Sequence, residues 1–259
     1  MLRALQIANI VGLVLTLFSN VLANTIPIGG ITTGDVADSY SNLFAPAGLT
    51  FSIWGVIYVL LLVFTIYQGR GLFGQAAPDE SVLRAVGPWF LIAGIANASW
   101  IFAFHYRRIP LSTVLIVALL IALLIGYLRL GIGMRRAERV VKLAVFIPFS
   151  VYIGWVIVAT AANVTLLLVD LGWGGFGLSE QFWAIVVIAV GALVGLYALF
   201  ARADIPLALV VVWAYAGIVI KRAQIGDAPG VVVAAAGAGA ILLIDIAIVA
   251  VRRGVYTAA

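Results

Sequence analysis

Apolar residues run along this chain in long blocks, separated by short stretches where glycine, proline and charge collect. Eight blocks approach or exceed the roughly 20 residues that a membrane-crossing helix needs: about 6–23, 47–68, 86–105, 110–130, 141–169, 181–201, 205–222 and 230–251. The pattern predicts an all-α polytopic membrane bundle of eight transmembrane helices. The first block follows Arg3 and ends at Ala23, a layout shared with secretory signals. It is read here as a retained helix.

The second block differs from the others in where its aromatics fall. In FAPAGLTFSIWGVIY, Phe44 to Tyr58, a proline and a glycine precede an apolar helix on which Phe51, Trp54 and Tyr58 recur at steps of three and four, forming one face. Lipid contact needs only aliphatic bulk, so this face predicts a partner or a ligand. The connection leading into it, Asn24 to Ala45, is long for a loop between membrane helices and holds Asp35 and Asp38 without a basic residue. Such loops often serve as lids. Thr33-Gly34-Asp35 is read as the cap of a short helix carrying Val36, Tyr40 and Leu43 on one side. Gln75 to Glu80 reads as a solvated connector. After the fifth block, DLGWGGFGLSEQ sets Trp173 and Phe176 among glycines, as an interfacial aromatic belt would, with Ser179 as N-cap of the sixth.

Composition then narrows the class. The chain is 65% hydrophobic and 10% charged, with a mean hydropathy of +1.22, beyond what a water-exposed surface of this size carries. It has no cysteine and one histidine, His105, which excludes disulfides, thiolate zinc sites and cysteine nucleophiles and leaves no histidine cluster. The formal net charge of +5 arises between the apolar blocks. With eight spans, one face carries eleven basic residues, Arg3, Arg70, Arg84, Arg129, Arg135, Arg136, Arg139, Lys142, Arg202, Arg252 and Arg253; the other carries four, Arg107, Arg108, Lys221 and Arg222. The asymmetry predicts both termini in the cytoplasm, in a plasma (inner) membrane, and accounts for the charge without nucleic acid.

Polar side chains inside the spans are few. Asn20, Asn97 and Asn163 fall at similar depth in the outer half; each is expected either to hydrogen-bond a neighbouring helix or to line a ligand pocket. Asp245 sits near the inner end of the last span. Lys221, followed by Arg222 at the outer end of the seventh, is expected to snorkel to the surface. Gly191 and Gly195 make a G-x-x-x-G, and Ala234 to Ala240 is rich in small residues, patterns that allow close helix approach within one chain or in a homodimer.

Three patterns combine. The second block has P-x-G-x-x-F-x-x-W-x-x-x-Y from Pro46 to Tyr58, the third has Asn97, Trp100 and Phe104, and the fifth has Trp155, Val158, Ala159, Thr160 and Asn163. In this order they resemble the tryptophan-rich sensory protein family, also called TspO, translocator protein or peripheral benzodiazepine receptor. Family members are five-helix bundles, and the motifs carry the resemblance over about residues 5–170. This implies a TspO-like unit at 1–170 and three additional transmembrane helices at 171–259. It further implies a cavity, closed by the first loop, that takes porphyrins, sterols and flat aromatic molecules. By resemblance the ligand-binding residues are Phe51, Trp54, Tyr58, Asn97, Trp100, Phe104, Trp155, Ala159 and Asn163. The chain departs from the family at Ala47, where a second proline is usual, and at Leu49, in place of an aromatic. The Phe51 to Trp54 spacing is one residue shorter than usual, and Pro148 stands further from Trp155. Some relatives degrade porphyrin in a light- and tryptophan-dependent way, whereas residues 24–45 here contain no tryptophan.

The leading expectation is therefore a membrane receptor or carrier for a hydrophobic planar ligand, tetrapyrrole or sterol-like, in the outer half of the bundle. No resident cofactor is specified, and porphyrin or heme is the candidate ligand. Alternatives are a transporter of a lipophilic or neutral solute, or a structural subunit of a larger membrane assembly. No acid-base or nucleophilic set is visible, which weighs against an enzyme without excluding pigment photochemistry.

Overall fold

The computed structural model describes residues 2–25, 28–73 and 78–257. Within the Gln75–Glu80 connector, residues 75–77 lie outside them. The described chain is helical: α1 (Leu2–Thr25), the short α2 (Thr33–Asp38), α3 (Ile53–Gly69), α4 (Glu80–Val86), α5 (Trp89–His105), α6 (Ile109–Leu130), α7 (Arg139–Val141), α8 (Ile147–Asp170), α9 (Glu180–Arg202), α10 (Ile205–Ile225) and α11 (Pro229–Thr257). A 3-10 turn, Gly48–Ser52, leads into α3, and a π turn, Lys142–Phe146, joins α7 to α8.

Among the described residues, seven helical stretches are long and apolar enough to cross a membrane, and α4 with α5, bent by 42° at their junction, brings the number to eight if the pair is one broken span rather than a re-entrant loop. That break falls inside the predicted third span. Pro88 cannot donate to the preceding turn, and Gly87 caps α4 at φ 52°. At the same face Arg129 donates from Nε to Ala85 O and from Nη2 to Arg84 O, so one of the basic residues counted for topology also satisfies the carbonyls that end α4.

Helices α1, α3, α5, α6 and α8 pack as one group, while α9, α10 and α11 form a second that meets the first chiefly along α8 and α10. The span containing α8 is the most buried, and α11 is the least. Where α1 crosses α5, Gly94 faces the Gly12 backbone so closely that a Cβ would collide with it, which is why two glycines meet there. Asn20 Nδ2 donates to Asn97 Oδ1 at 2.6 Å across this contact. Towards the other end, Gln6 and Gln68 exchange amide-to-carbonyl bonds at 2.7 and 3.1 Å, tying α1 to α3. The G-x-x-x-G pair is spent inside the chain: Gly191 meets Tyr215 of α10 and Gly195 meets Leu242 of α11.

At the turn between α9 and α10, Asp204 is buried. Its carboxylate accepts from Tyr127 Oη and Ser150 Oγ, both at 2.7 Å, and from Leu207 N at 3.2 Å, joining α6 and α8 to the start of α10. Burial pushes this carboxyl's pKa up, against the lowering effect of those bonds and of nearby Arg202.

Candidate functional site

The segment between α1 and α3, expected from the sequence to act as a lid, is built locally. Thr32 is its N-cap, one residue before the predicted position, because its side chain accepts from Asp35 N while Asp35 accepts from Thr32 N at 2.8 Å, a capping box. These bonds hold the Asp35 carboxyl below the usual range. Val36 and Ala37 form the buried side of α2, and Tyr40 and Leu43 are half-buried after it. Asn42 then turns the chain inward, its Oδ1 accepting from Phe44 N and Ala45 N and its Nδ2 donating to Tyr40 O.

Two distant elements tether this lid. Thr33 Oγ1 lies 3.1 Å from His105 Nε2, and His105 Nδ1 lies 3.1 Å from Ile28 O. Lys221 of α10 reaches out of its helix to an ion pair with Asp38 of this segment. Arg222 pairs with Asp227 at 2.9 Å. Helix α10 also grips the segment below the lid: Ala47 N donates to Gly217 O, and Trp213 Nε1 donates to Thr50 O at 2.9 Å. Gly217 has no room for a Cβ, which would run into Thr50 and Pro46.

Beneath lies an aromatic cluster centred on Trp54. Its ring stacks near Trp100 (centroids 6.2 Å, 30°) and Tyr58 (5.8 Å, 24°) and meets Trp155 edge-on (6.4 Å, 86°). Phe51 meets Trp155 at 5.8 Å and Phe104 stacks on Trp100 at 5.2 Å. Helices α3, α5 and α8 thus bring the three sequence patterns together. A cavity of about 30 Å³ remains between them, lined by Phe51, Trp54, Trp100, Phe104, Trp155, Ala159 and Asn163, with Ala37 and Pro46 from the lid segment. Its lining is almost wholly apolar.

Two of the nine predicted residues, Tyr58 and Asn97, are not part of the cavity wall. Tyr58 backs the Trp54 ring, and Asn97 serves the α1–α5 contact. Asn163 lines the cavity and is also heavily engaged: its Oδ1 accepts from Trp100 Nε1 at 2.9 Å, and its Nδ2 donates to Thr113 Oγ1 at 2.8 Å and Ser112 Oγ at 3.1 Å. It fixes the Trp100 ring against α6. Trp155 Nε1 and Tyr58 Oη are buried without a hydrogen-bond partner among the described residues. Val158, Ala162 and Leu166 complete the α8 wall. Ala162 and Leu166 continue the spacing of Trp155, Val158 and Ala159 by one and two turns, a signal that helical periodicity already contained.

The family model described as TSPO-like protein matches residues 6–249, and the chain belongs to that family. The match runs through α9, α10 and most of α11, beyond the residues that carry the three motifs. No curated protein and no solved structure matches the chain.

Proposed function

We propose that this integral membrane protein is a receptor or carrier that takes a flat, largely apolar ligand, of tetrapyrrole or sterol-like type, between α3, α5 and α8 beneath the lid. The observation that carries this reading is the convergence of Trp54, Trp100 and Trp155, with Phe51 and Phe104, on one buried space roofed by Ala37 and Pro46. Three large indoles around a gap are a poor way to fill a core and a good way to sandwich a planar ring. Trp155, on the cavity wall, carries an Nε1–H buried without a partner among the described residues. Left unpaired, a buried donor costs about 1–3 kcal/mol, which a ligand acceptor would recover.

The volume decides how binding proceeds. About 30 Å³ is the share of one water molecule, whereas sites for drug-sized ligands span roughly 300–1,000 Å³. The closed form therefore has to open, and the lid segment, which adds two residues to the wall and is held by a few polar tethers, is the part to move. Ligand binding and lid opening are one coupled event in this proposal.

The test is a titration of the purified protein with protoporphyrin IX or heme, followed by tryptophan quenching. Saturable quenching that is lost in the Trp100→Ala/Trp155→Ala double variant is expected. Unchanged affinity in that variant would defeat the assignment.

A further inference from the structure

A second pocket near the loop is far roomier than the motif cavity. A pocket of about 320 Å³ lies on the far side of the lid segment, between Ser41–Phe44, the C-terminal turns of α8 (Thr165, Leu168, Val169) and the start of α9. Its aromatic corner is made by Trp173 and Trp183, whose ring centroids are 5.0 Å apart at 58°. The corner is rigid for a local reason. Trp183 Nε1 donates to Gly175 O at 2.9 Å, and Gly175, at φ 61°, lies against that ring where a Cβ would crowd it. With its single donor used, Trp183 offers a ligand the face of its ring and no N–H.

The polar groups of the pocket are unequal. Asn42 is committed to backbone on both sides of its amide, and Thr165 Oγ1 donates to Ala161 O. Glu180, on the pocket wall, makes no side-chain hydrogen bond or ion pair among the described residues. Asp170 stands one residue beyond Val169, close enough to Tyr40 to add to burial in raising that phenol's pKa. No lysine or arginine lines the space. A negative carboxylate beside half-buried indoles on the pocket wall disfavours an anion and attracts a cation, since both the charge and the ring quadrupole act in the same sense.

The geometry points to a second ligand site here, selective for an amphiphile with an ammonium head: the head between Glu180 and the Trp173–Trp183 corner, the apolar body along Leu168, Leu178 and Val187. The site is separate from the motif cavity and does not depend on the function proposed for it. Its source in the membrane is either a lipid with a quaternary ammonium headgroup or a free amphiphilic amine, which share this chemistry.

Binding of hexyltrimethylammonium to the full chain in a maltoside detergent, measured by calorimetry, tests it, with hexyl sulfate and hexanol as charge controls. Saturable binding of the ammonium alone is expected, weakened about tenfold by Glu180→Gln and by Trp183→Leu. Competition by dihexanoylphosphatidylcholine assigns the site to a lipid headgroup; ammonium binding without that competition assigns it to a free amine. Equal binding of hexanol or hexyl sulfate, or full affinity in the Glu180→Gln protein, overturns the proposal. Glu180 is exposed in the first turn of α9, so its amide variant keeps the fold and the test stands even if Trp183→Leu does not.

Discussion

Trp54 touches four other rings, Tyr58, Trp100, Tyr152 and Trp155, so it is both a candidate ligand contact and the centre of local packing. Trp54→Ala should cost about 3–5 kcal/mol, as large-to-small core changes do, seen as a lowered midpoint in detergent-solubilised thermal unfolding. Tyr58→Phe should be neutral or slightly stabilising in the same assay, because the hydroxyl it removes is buried without a partner. A loss above about 1 kcal/mol would mean that the phenol is engaged. Asp204 supplies a pH signature. With its folded pKa raised above the ordinary 3.8, folding favours the protonated form. Its contribution is fully present below the unfolded value and is lost as pH rises through the folded one. Thermal midpoints should therefore fall as pH rises through the window just above 3.8, and Asp204→Asn should flatten that dependence while keeping an oxygen for Tyr127. Of these features the tryptophans were legible by spacing. Asp204 was not, because a carboxylate between two apolar blocks looks solvated until Tyr127 and Ser150 close over it.

Among elements, α2 and α10 carry the most specific consequences. The lid is a six-residue helix, too short to be stable alone, and is held by the Asp35–Thr32 box, by His105 and by Lys221. An ion pair with one partner half-exposed contributes about 0.2–1 kcal/mol, so Lys221→Met should raise lid opening up to about fivefold. Hydrogen exchange over residues 33–38 reads this directly, and ligand association should quicken in parallel; exchange unchanged from the parent would remove Lys221 as a latch. Gly217→Ala should be far harsher, costing roughly 1–3 kcal/mol as an overpacked contact, since its Cβ meets Thr50 and Pro46. That variant should loosen the Pro46–Thr50 segment more than it disturbs α1 or α6. The lid was readable from the length and acidity of the first loop, and its cap was misplaced by one residue because Thr32 and Thr33 are equivalent in composition and differ only in which faces Asp35 and which faces His105.

At the scale of the molecule, if the bent α4–α5 pair makes one crossing, eight spans would put both termini on one side. The chain has no cysteine, so single cysteines are clean probes. One introduced at Ala4 and one at Val251 should label from the cytoplasmic side, and one at Ser179 from the other; opposite labelling of the two termini would remove a span. The helical membrane class, the order of the long apolar helices and the family were written in the sequence because each depends on residues close together: twenty apolar side chains in a row, or aromatics three and four apart on one helix. What the tertiary structure alone decided joins residues far apart. Lys221 reaches Asp38 across 183 positions and Trp213 reaches Thr50 across 163, contacts that no local period encodes. They make α10, one of the last three helices, a brace on the lid segment and on the stretch leading into α3. The cavity's small volume has the same origin, since Trp54, Trp100 and Trp155 could have lined an open chamber as easily by spacing. Only the approach of α3, α5 and α8 under the lid brings their rings within 5.2 to 6.4 Å of a neighbour and leaves the site closed.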